Sequence, residues 1–61
     1  MPDWTPEQLA QELRDRGTDT SRWTIRRACE RGDIFGAYRT AGGHWRIPHA
    51  TAVAMLALGV R

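Results

Sequence analysis

The chain has no lysine, a single cysteine and no long apolar run, and each absence removes a class of protein. One cysteine, Cys29, excludes an internal disulfide and any cysteine-based zinc knuckle. It fits a reducing, cytoplasmic setting. No apolar stretch reaches the ~18 residues of a membrane span. The opening MPDWTPEQ is acidic and polar, unlike a secretory signal. With 61 residues the chain reads as one domain. At this size folding buries only about 60% of the surface that the unfolded chain exposes, which leaves no room for both a core and a deep substrate pocket.

Catalytic sets are lacking too. His44 and His49 have no third ligand at metal spacing and read as surface or turn histidines. No Ser/His/Asp or Cys/His set has the context of a nucleophile. Cys29 falls on an apolar helix face, the place of a small core residue. Gly42 and Gly43 sit in a hairpin pattern, not in a phosphate loop entering a helix. The expectation is a non-enzyme with no catalytic residues, metal, cofactor, small-molecule substrate or membrane.

What is present is a segregated charge. The net charge is +2, but residues 1–20 carry −3 and residues 21–61 carry +5. All nine basic residues are arginine. Arginine forms bidentate hydrogen bonds to phosphate and to guanine edges that lysine cannot match. A GC-rich genome also favours arginine codons, but codon use does not segregate charge along a chain.

The local signals predict an α+β chain. Thr5, Pro6 and Gln8 form an N-cap, an N1 proline and a capping-box partner, and Trp4 and Leu9 suit a hydrophobic staple. The first helix spans about 6–15, with Leu9, Ala10 and Leu13 inward and an acidic outer face. Gly17 ends it, and Thr20 or Ser21 caps a second helix over about 22–31 that stops at Gly32. Ile25, Ala28 and Cys29 share its core face, while Trp23, Arg27 and Glu30 point away, flanked by Arg22 and Arg26. Ile34 and Phe35 are expected in the core. Residues 37–40 and 44–47 alternate around Ala41-Gly42-Gly43, a hairpin signal. If Ile47 points inward, Trp45 does too, and His44 and Arg46 point out. Pro48 opens a last helix over about 49–58, stopped by Gly59. In that helix Val53, Met55, Leu56 and Leu58 are spread all round the axis.

The arginine-rich second helix is the candidate for binding double-stranded DNA. A major groove admits one α-helix, whose first turns meet base edges. Arg22, Trp23, Arg26 and Arg27 occupy those turns, with Ser21 and Thr24 beside them. Trp23 either reaches sugar or a thymine methyl, or folds back on the first helix. Arg39, His44 and Arg46, with Thr40, Gly42 and Gly43 at the hairpin tip, are the second candidate contact, for a minor groove or phosphates. Trp45 is expected in the core. Met55, Leu56 and Leu58 either pack inward or meet a protein partner.

The ordered run Ser21-Arg22-x-Thr24-Ile25, Gly32-Asp33-Ile34, Tyr38-Arg39 and Gly42-Gly43-His44-Trp45-Arg46-Ile47-Pro48 resembles the excisionase family. These are small winged-helix proteins related to the DNA-binding domain of MerR-type regulators, and the likeness covers residues 4–58. It implies a helix-turn-helix with a two-stranded β-hairpin wing and a C-terminal helix. The helix matching 22–31 would enter the major groove, and the hairpin matching 37–47 would be the wing. Two departures stand out. The segment RDRGTDT is longer than the family's usual turn, and Ala28 stands where the family has a larger apolar residue. Family members divide into phage-type recombination directionality factors and small transcription regulators. The former bind tandem sites cooperatively, bend DNA and steer an integrase toward excision. The implied partners are DNA, neighbouring copies of the chain and an integrase, in the cytoplasm of a bacterial host.

Overall fold

A computed structural model describes residues 2–58. The elements in chain order are α1 (Pro6–Asp15), α2 (Arg22–Arg31), β1 (Tyr38–Arg39), β2 (Trp45–Arg46) and α3 (His49–Leu58). They make a mixed α+β arrangement of three helices and one two-stranded antiparallel hairpin. The expected stop at Gly59 lies outside the described residues. Among those residues no helix is long and apolar enough to cross a membrane.

Caps set the helix ends. The Thr5 hydroxyl accepts from the Gln8 N–H at 3.0 Å, and Gln8 Oε1 accepts from the Thr5 N–H at 2.9 Å. Two otherwise unpaired donors are satisfied reciprocally, and Pro6 at the first position has none to satisfy. At the far end Gly17 takes φ 92°, so its N–H donates to Arg14 O and the Thr18 N–H to Leu13 O. Arg14 Nη1 then donates to the Thr20 carbonyl at 3.1 Å, tying the end of α1 to the start of α2. Ser21, not Thr20, caps α2, accepting from the Thr24 N–H at 3.4 Å. The Thr20 hydroxyl is buried and has no hydrogen-bond partner among the described residues.

The core is small and wholly apolar. Leu9, Ala10 and Leu13 of α1 meet Ile25 and Cys29 of α2, with Ile34, Ile47 and Ala52 closing it. Trp4, Ala28, Ala37, Trp45, Met55 and Leu56 pack on it from the edge. The hairpin pairs Tyr38 with Arg46 and Arg39 with Trp45. Its loop is Ala41-Gly42-Gly43, closed by the Thr40 N–H donating to His44 O at 2.8 Å. Gly43 supplies the positive φ, 81°, that a three-residue hairpin loop requires.

Three expectations need correction. The strands are two residues each, because pairing beyond them passes to a different partner. Ile47 pairs antiparallel with Trp4, each N–H donating to the other's carbonyl at 2.8 Å. Phe35 is not in the core. It is 86% exposed, because Ile34 and Phe35 sit on a tight turn and only Ile34 can point inward. His49 is half-buried and accepts a 3.0 Å hydrogen bond at Nδ1 from Trp4 Nε1. In α3 only Ala52 is buried; Met55 and Leu56 are half-buried, and Val53 and Leu58 are exposed.

Candidate nucleic-acid interface

Three elements meet around one open cleft of about 460 Å³. Thr5, Pro6 and Glu7 bring the start of α1 to it, and Arg22, Trp23 and Arg26 bring the first turns of α2. Gly43, His44, Trp45 and Arg46 form the hairpin wall. The placement follows from packing. Leu9 and Leu13 against Ile25 and Cys29 turn the opposite face of α2 outward. The Trp4–Ile47 pairing draws the hairpin against the start of α1.

The side chains in the cleft are organised by arginine. The Arg22 and Arg26 guanidinium carbons lie over the Trp23 ring at 5.4 and 5.6 Å from its centroid. Trp23 is 59% exposed and lines the cleft opposite the start of α1, so it is not buried against the first helix. Arg22 Nη1 also lies 3.6 Å from Glu7 Oε2, an exposed pair. On the other wall Arg46 Nη1 donates to Trp45 O at 2.9 Å, and Arg39, outside the cleft lining, lies over the Trp45 ring at 5.0 Å. Trp45 is half-buried, and among the described residues its indole N–H has no partner. Three guanidiniums and one carboxylate line the cleft, so it attracts anions.

The structure brings together Arg22, Trp23 and Arg26 of α2 with Gly43, His44 and Arg46 of the hairpin. Other expected residues stand apart from this cleft. The Ser21 hydroxyl is engaged in the cap and lies 3.3 Å from Thr24 Oγ1. Arg27 is exposed, Arg39 covers Trp45, and Thr40 Oγ1 accepts from the His44 N–H at 3.3 Å. Gly42 lies at the exposed loop. Met55, Leu56 and Leu58 lie on α3, outside the cleft lining. Sequence reasoning missed Thr5, Pro6, Glu7 and Trp45 as cleft walls. The cap signal places the start of α1, but no local pattern tells that it abuts the hairpin.

A second open groove, which shares Thr5 and Glu7 with the first, has the opposite character. Asp3, Glu7 and Glu12 line it with Trp4 and His49, and no arginine does. Tyr38 donates its hydroxyl to the Asp3 carboxylate, which raises the Tyr38 pKa above its ordinary value. Burial is the main cause that raises the Cys29 thiol. Among the described residues no group of three His, Cys, Asp or Glu could hold a metal ion. No protein-family model, curated protein or solved structure matches this chain.

Proposed function

We propose that the protein is a winged-helix, sequence-specific double-stranded DNA-binding protein, with α2 as the recognition helix and the hairpin as the wing. Within that class we propose an excisionase, a non-enzymatic architectural factor that binds tandem sites, bends DNA and directs an integrase toward excision. The observation that carries DNA binding is the convergence of Arg22, Arg26, His44 and Arg46 on one open cleft between an exposed helix face and a hairpin. The excisionase assignment within it is supported by the ordered motif over residues 21–48.

A single module of this size covers roughly 600–1,000 Å² of its own surface on DNA, too little for high specificity alone. Affinity then comes from several copies on adjacent sites, each binding event raising the effective concentration of the next. The exposed apolar residues of α3, Val53 and Leu58, are surface available to a neighbour or an integrase.

The test is a footprint of the purified protein on the DNA flanking its gene, at near-physiological salt. A ladder of protected, bent sites beside a recombination core supports the excisionase. Protection confined to a promoter identifies a small MerR-like transcription regulator instead. No protection even at low salt rejects DNA binding and leaves a protein-interaction module. On a protected site, Arg26→Ala loses either a base contact, about 1–3 kcal/mol, or a phosphate contact, flattening the salt slope by about one.

A further inference from the structure

Trp23 stands out among the cleft residues because its exposure is unexplained by folding. It is 59% exposed and is not among the side chains packed on the core. What it does touch is cationic, with the guanidiniums of Arg22 and Arg26 over its ring at 5.4 and 5.6 Å. Arg26, three positions on, is a helical neighbour of Trp23, and Arg22, the preceding residue, also lies over the ring, so one indole plate serves both. Glu7 holds Arg22 from a second direction at 3.6 Å.

We propose that Trp23 is a positioning residue that pre-orders Arg22 and Arg26 for anionic DNA, rather than a contact with a base. The proposal rests on the DNA-binding reading of the cleft. A free arginine side chain has several rotatable bonds, and freezing them on binding weakens affinity. Stacking on an indole by cation–π attraction removes part of that loss in advance. Glu7 completes the arrangement by steering Arg22 until a phosphate replaces its carboxylate.

The chemistry makes a distinctive prediction. Trp23→Ala weakens binding to a mixed-sequence duplex at low salt by roughly tenfold, as expected when two exposed cation–π stacks are removed. The salt slope stays the same, because both arginines still reach their phosphates in the complex. Trp23→Phe, which keeps the aromatic plate and lacks the indole N–H, restores most of the affinity. In an Arg22→Ala/Arg26→Ala background Trp23→Ala has no further effect, since the residues through which it acts are gone.

The experiment is that mutant cycle, read as affinity against salt, together with ¹⁵N relaxation of the arginine Nε–H groups in the free protein. The expected relaxation result is greater mobility of Arg22 and Arg26 in Trp23→Ala and near-native rigidity in Trp23→Phe. An undiminished Trp23→Ala effect in the double-arginine background overturns the proposal and makes Trp23 a direct contact. So does a failure of Trp23→Phe to rescue, or arginine mobility that Trp23→Ala leaves unchanged. If the double-arginine variant binds like the native chain, the DNA reading of this cleft fails. The relaxation data then still decide, on their own, whether Trp23 orders the arginines.

Discussion

Ile47 and Phe35 are both large apolar residues near the hairpin, and the structure assigns them opposite energetics. Ile47 is fully buried, at 0% exposure, where the hairpin, the N-terminal segment and the core meet. Ile47→Ala removes three carbons and leaves a cavity, at a cost of about 2–5 kcal/mol. A chain of this size has only about 3–9 kcal/mol in total, at roughly 0.05–0.15 kcal/mol per residue. A loss in the middle of the range lowers Tm by on the order of 25 °C, because a domain this small loses ~8 °C per kcal/mol. Phe35→Ala, at a side chain 86% exposed, changes stability by less than ~0.5 kcal/mol. Urea unfolding followed by tryptophan fluorescence measures both, and an unchanged m-value validates the comparison. An Ile47→Ala loss below ~1 kcal/mol, or a Phe35→Ala loss of equal size, refutes the assignment of the core.

Three further outcomes follow from local geometry. Thr5→Ala removes the hydroxyl that accepts from the Gln8 N–H, leaving only the backbone half of the capping box, and costs about 1 kcal/mol in a thermal melt, whereas Thr5→Ser, which retains the hydroxyl, costs much less. Gly36→Ala is more damaging than Gly32→Ala: both need positive φ, but only at Gly36 would a Cβ lie 3.0 Å from Pro48 Cγ, and a paired melt measures the difference. Alkali destabilises the fold. Tyr38 is raised mainly by its hydrogen bond to Asp3, and Cys29 mainly by burial. Each folded pKa thus exceeds its unfolded value, so the stability from these groups is full below the ordinary thiol and phenol ranges. It is lost as pH rises through the folded values. A pH series of melts that stays level into strong alkali would contradict this, as would a Cys29 that reacts with a disulfide reagent as fast in the folded chain as in urea.

The helices were legible because their information is local. Thr5-Pro6-x-Gln8, Ser21 before an arginine run, and Gly17 and Gly32 each act within one turn of chain. The loop glycine of the hairpin was legible for the same reason. The tertiary pairings were not. Nothing near Trp4 marks its partner as Ile47, and nothing near Asp3 announces Tyr38. Periodicity also could not choose between adjacent apolar residues on a turn, and so it placed Phe35 with Ile34. At the cleft the arginines of α2 were found from charge and phase. Glu7 and Trp45 were not, because Glu7 joins it through the packing of α1 on α2 and Trp45 through the Trp4–Ile47 link, neither of which is local in sequence.

That link also governs when the molecule can fold. Trp4 is bonded through its backbone to Ile47, and through its indole to His49, a residue 45 positions along the chain. Closing so wide a loop carries an entropic cost that neighbouring contacts must offset before it forms. α1 and α2 are connected by a short turn and can dock early, but the hairpin wall of the cleft waits for the distant pairing. During synthesis the N-terminal segment emerges first and its partner about forty residues later, so Trp4 stays without its partners until then. The arginine face of α2 is therefore exposed on a partly folded chain before the hairpin wall stands beside it, and the cleft is complete only once the distant pairing forms.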